Sequence, residues 1–233
     1  MRRGLVGAVA ILGWFAGGAV AAEVTVEVTN ATHGVYFTPL LVTAHGGDEF
    51  LFEVGQPASG SLRAMAEGGD LTGLLADLGG ADADTVADPA GGLLGPGETA
   101  TARLDTGAGG HGFLSIVAMA LPTNDGFVGL DRWPIPAEPG EYRLTLNLYD
   151  AGTEANDERI TGGGAPGEPG IPADPGGHAG EGATGAAGAD ANPTVHVHRG
   201  TLGDTDPDGG PSDLDPAVHR WLNPVAVVRI TVR

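Results

Sequence analysis

A nearly unbroken apolar run, Leu114-Ser-Ile-Val-Ala-Met-Ala-Leu121, leads directly into Pro122-Thr-Asn-Asp-Gly126, and a short aromatic segment, Phe127-Val-Gly-Leu-Asp131, leaves that turn. A run of this length, bounded by turn residues, reads as a buried strand followed by a second strand. Further along, Tyr142-Arg-Leu-Thr-Leu-Asn-Leu-Tyr149 alternates so that Tyr142, Leu144, Leu146 and Leu148 share one face. It ends in Asp150-Ala-Gly-Thr-Glu154. The chain therefore has two strand ends, each tipped by an acidic loop. A fold that brings those loops together is constrained to be a β-sandwich, with its strand ends gathered at one edge.

The remaining pattern agrees. Glu23–Thr29 places valines on one face of a strand, and Phe37–Val42 continues as an extended segment after Pro39. Strand signals return at Glu98–Leu104, Gly112–Leu121, Val195–His198 and Val225–Val232. Between Ser59 and Leu78 the period changes. Leu62, Met65, Leu71, Leu74, Leu75 and Leu78 fall at helical spacings, Ser59 or Ser61 offers a cap, and Gly68-Gly69 splits the stretch into two short helices. Gly162 to Asn192 is rich in Gly, Ala and Pro and reads as a flexible insertion, dispensable for folding. With no alternation of strand and helix, the expected fold is all-β: an antiparallel sandwich with a short helical insertion, spanning 23–233.

Residues 1–22 read as an export signal, with Arg2 and Arg3 at its start, an apolar core from Leu5 to Val20, and Ala19-Val-Ala-Ala22 for cleavage. An uncleaved membrane anchor is the competing reading. The predicted location is secreted, periplasmic or cell envelope. The chain has no cysteine, so an exported form folds on core packing, with a metal's help at most. There are 11 basic residues against 30 acidic ones; setting aside Arg2 and Arg3 leaves a formal charge of −21, and every basic residue is arginine. No basic face is available to neutralise phosphates, which excludes nucleic acid as a partner. Divalent cations are the natural counterpart of so many carboxylates.

Calcium takes six to eight hard oxygen ligands. Asp125 in the first acidic loop, Asp150 in the second and Asp105 at the end of an earlier strand are candidates; the competing reading makes each a turn former bonding its own backbone. Asp204 to Asp215 places acids at loop positions 1, 3, 5 and 12 with Gly209 at 6, the spacing of an EF-hand loop. Pro211 and the lack of a preceding helix oppose that reading, although Asp215–Leu222 is a candidate following helix. His196 and His198 stand two apart on a strand and could hold copper or zinc with help from His33, His45 or Met119. No nucleophile elbow, zinc-protease helix or phosphate loop is present, so the chain is expected not to be an enzyme.

The stretch Leu114–Asp131 and the motif Tyr149–Glu154, with the closing Asn223–Val232 strand, resemble the spondin N-terminal domain. Pro122, Asp125, Phe127, Val128 and Gly129 match its Pro-x-x-Asp-x-Phe-Val-Gly motif, and Asp150 to Thr153 match its Asp-Ala-Gly-Thr-Asp motif, with Glu154 in place of the last aspartate. The resemblance implies a C2-like sandwich holding one calcium at Asp125 and Asp150, and less securely at Asp105 with Glu154 nearby. It also implies an adhesion or matrix-recognition role toward an extracellular protein, glycan or lipid surface, as a monomer. Departures are Gly126, where animal members carry an aromatic, and the missing cysteines.

Overall fold

The computed structural model describes residues 23–79, 83–107, 110–186 and 192–233. The expected export signal lies outside the described residues. Among the described residues ten strands and two helices follow in order: β1 (Glu23–Asn30), β2 (Tyr36–Phe37), β3 (Leu41–His45), α1 (Gly60–Gly68), α2 (Thr72–Gly79), β4 (Asp84–Ala87), β5 (Thr99–Asp105), β6 (Phe113–Leu121), β7 (Gly126–Pro134), β8 (Gly140–Asp150), β9 (His196–Val197) and β10 (Ala226–Val232). The expected antiparallel sandwich is found, with every strand pair antiparallel.

One sheet runs β5-β1-β10-β8 and the other β4-β3-β6-β7-β8. β8 belongs to both: its residues 140–146 pair with β10, and 147–150 with β7. At the far edges the Asp105 amide donates to the Asp84 carboxylate, so β5 approaches β4 and the sandwich nearly closes. The inner faces meet in one apolar core containing Val24, Val26, Val28, Ile116, Leu146 and Val228.

The unbroken apolarity of β6 has a simple cause. Leu114, Ile116, Ala118 and Ala120 face the inner core. Val117, Met119 and Leu121 face outward into a second cluster, where α1 and α2 pack Leu62, Met65, Leu74 and Leu78 against them. The strand is buried on both sides, so neither face can be polar. The one exception is Ser115, whose hydroxyl bonds the buried His45 Nε2 at 2.7 Å.

The helices begin and end as read. The Ser59 hydroxyl accepts from the Leu62 amide at 3.0 Å, and Gly69, at φ 72°, closes α1 in the left-handed region. The extended segment expected at 37–42 is instead interrupted: β2 ends at Phe37 and β3 begins at Leu41, both pairing with β6 but in registers offset by one residue. Asp215 to Leu222 is a capped single turn rather than a helix, with Ala217 N donating to Asp215 Oδ1.

The segment expected to be a flexible insertion is anchored over its described part, 162–186. Ile171 is fully buried and Ala183 nearly so. Main-chain bonds from Gly180, Glu181, Thr184 and Gly185 tie it to residues 207–213. Lack of periodicity signalled irregular backbone correctly, but not freedom. The apolar contribution came from isolated residues that no pattern reveals.

Candidate functional site

The β6–β7 turn and the loop leaving β8 meet at one end of the sandwich, because Gly126 pairs with Asp150. The turn is compact. Thr123 Oγ1 accepts from Gly126 N at 2.9 Å and donates to Ala120 O at 2.6 Å. A Cβ on Gly126 would lie 2.6 Å from that hydroxyl, so no larger residue fits while the turn keeps this form.

Asp125 is fully buried. Its Oδ2 accepts from Thr153 N at 2.7 Å, Glu154 N at 3.0 Å and Thr153 Oγ1 at 3.1 Å. The carboxylate thus clasps the second acidic loop onto the first. Its Oδ1 is buried and has no hydrogen-bond partner among the described residues. Burial, reinforced by the Asp150 charge, pushes the Asp125 carboxyl up to about 6, although the three donors pull the other way.

Asp150 is also buried. It accepts from Gly152 N at 2.7 Å through Oδ1 and from Asn156 Nδ2 at 2.6 Å through Oδ2. His196 Nε2 stands 3.7 Å from that Oδ2. The same ring uses Nδ1 on the Thr194 carbonyl at 2.8 Å, so Nδ1 carries the proton and, in the neutral ring, Nε2 turns a lone pair toward the carboxylate.

Glu154 Oε2 accepts from Gly170 N at 3.0 Å and lies 3.4 Å from Asn124 Nδ2, while its Oε1 is buried without a partner among the described residues. Burial pushes this carboxyl up to about 7, with the charges of Glu67 and Asp125 adding to it.

Of the four carboxylates expected to share a site, Asp125, Asp150 and Glu154 lie on the two adjoining loops. Asp105 does not join them. It pairs with Glu23 in a register that continues through Val24 and Val232 to Gly140, at the end of β8 remote from Asp150. Its carboxylate caps the following turn by accepting from Gly107 N at 2.9 Å. The antiparallel order of β5 and β1 dictates this, and the sequence carried no signal of that order.

Asp125 Oδ1 and Glu154 Oε1 are buried acceptors without donors, a circumstance that calls for an ion or water. Hard oxygens beside a second acid are the donors calcium seeks. No group of three or more His, Asp or Glu side chains arranged to hold a metal occurs among the described residues. A calcium here would therefore draw further oxygens from main-chain carbonyls and water.

The other candidates are used differently. His198 accepts from Gly200 N through Nδ1 and packs against Trp221, so it and His196 have separate surroundings. In the loop 204–215, Asp204 accepts from Asp206 N and Ser212 N, and Asp206 from Asp208 N. Asp213 accepts from Ile160 N and Ala183 N. Asp204 and Asp206 hold their own loop together, and Asp213 ties that loop to the segments around Ile160 and Ala183. Sequence reasoning missed Asn124, Thr153 and Asn156 as the donors that hold the site; of these, only Thr153 stands at a fixed position of a motif.

No helix among the described residues is long and apolar enough to cross a membrane. A comparison with curated proteins gives no match. The family model described as Spondin_N matches residues 29–159, more than half of the chain, and both acidic loops fall within it. The chain belongs to the spondin N-terminal domain family, a family of extracellular modules.

Proposed function

We propose that this protein is an exported, calcium-binding adhesion or matrix-recognition module without catalytic activity. The observation that carries the reading is the buried Asp125 Oδ1, which lacks a donor while the neighbouring Asp150 adds like charge. A calcium held by Asp125 and Asp150 neutralises that repulsion and supplies the missing partner. It also fixes the two loops relative to one another, giving the end of the sandwich one defined surface for an extracellular protein, glycan or lipid headgroup.

The test is thermal melting of the purified chain in chelator and in excess calcium. Calcium is expected to raise the melting temperature progressively with its free concentration. Identical melting in both conditions overturns the reading. The position of His196 beside Asp150 favours one competing reading, a transition-metal site. Elemental analysis separates the two: copper or zinc retained in place of calcium would select the second.

A further inference from the structure

The loop between β3 and α1, together with α1 and α2, encloses a cleft of about 600 Å³. That volume is within the usual range of small-molecule sites. Leu51, Phe52, Leu62, Leu74 and Leu78 form its apolar floor, continuous with the outer core cluster. Four carboxylates stand around it, Asp48, Glu49, Glu53 and Asp77, and no arginine or histidine is among its lining residues.

These acids differ from most others in the chain. Asp70, Asp88, Asp174 and Asp204 each accept from backbone amides a few residues on, as turn-forming acids do. The side chains of Asp48, Glu49, Glu53 and Asp77 have no ion pair or hydrogen bond among the described residues. Local backbone geometry does not account for their presence. Phe50 stands on the same rim, 56% exposed, and its ring already carries the Arg132 guanidinium 5.3 Å from its centre. The rim thus sets free carboxylates beside an exposed aromatic ring.

We propose that this cleft binds an organic cation with an apolar body, an amine or guanidine on an aliphatic or aromatic frame of small-molecule size. The floor gains by excluding water from the frame, and the rim supplies the opposite charge. An anion of the same shape meets four like charges. A bare cation leaves the floor wet. The inference is independent of calcium at Asp125 and Asp150.

The probes are naphthylbutylamine, the equally shaped naphthylbutyrate, and butylamine, which lacks the aromatic body. Each is titrated calorimetrically into the whole chain, once with chelator and once with saturating calcium. Naphthylbutylamine is expected to give one saturable event in both conditions, with naphthylbutyrate and butylamine each at least about tenfold weaker. Glu53→Gln with Asp77→Asn is expected to weaken the amine about fivefold, the scale of an exposed ion pair. Gln56→Trp, made at an exposed position, is expected to abolish binding by filling the cleft. Equal binding of amine and carboxylate, equal binding of butylamine, no saturable event, or an unchanged isotherm in both variants would each overturn the proposal.

Discussion

Asp125 concentrates the chemistry of the acidic end in one side chain. Its raised carboxyl, about 6 against an ordinary 3.8, gives a stability contribution that is complete below the unfolded value and lost as pH rises through the folded one. Glu154, raised from 4.5 to about 7, acts in the same direction. The metal-free protein is therefore expected to lose stability between about pH 4 and pH 7. Urea unfolding in chelator across that range checks this, and a rising or flat profile contradicts it. Asp125→Asn removes the charge while keeping an oxygen for Thr153 and Glu154. Melting scans should find its metal-free stability near or above that of the parent, with the response to calcium gone.

Elements that look alike in sequence differ in what holds them. The α1 cap is local, so Ser59→Ala is expected to cost about 1 kcal/mol in chemical denaturation. The irregular segments after β8 depend instead on buried acids. Glu158, itself at φ 59°, accepts from Leu202 N, Gly203 N and Ser212 Oγ, while Asp213 accepts from Ile160 N and Ala183 N. Glu158→Ala or Asp213→Ala should open residues 160–186 and 199–215 to protease while the sheets stay intact. Cleavage patterns unchanged from the parent would show that these bonds do not secure the loops. This contrast marks what the sequence made legible. Valine alternation in β1, the leucines of β8 and the Gly68-Gly69 break all declared themselves, because periodic burial writes a periodic pattern. Asp125 and Asp150 could be paired from their places at strand ends. The displacement of Asp105 depended on strand order, and the roles of Glu158 and Asp213 on contacts between segments far apart in sequence. Neither leaves a local trace.

At the scale of the molecule, the sandwich and its irregular loops behave as one packed body. Replacing residues 162–186 by a Gly-Ser linker is expected to cost more than loop length explains, because fully buried Ile171 is lost. Ile171→Ala alone should cost about 2–4 kcal/mol. Denaturant titration measures both, and a change near zero would mean that the segment is carried without contributing. One feature of the frame bears on force. β1 and β10 run antiparallel, and the Arg233 amide bonds Glu23 O, so both ends of this pair lie at the pole opposite Asp125 and Asp150. Tension applied between residues 23 and 233 peels the β1–β10 ladder open one rung at a time. Tension between either of those residues and a partner gripping the acidic loops instead runs along the strands, where many rungs share the load in shear. A module held at one pole and pulled at the other meets force in its strongest direction.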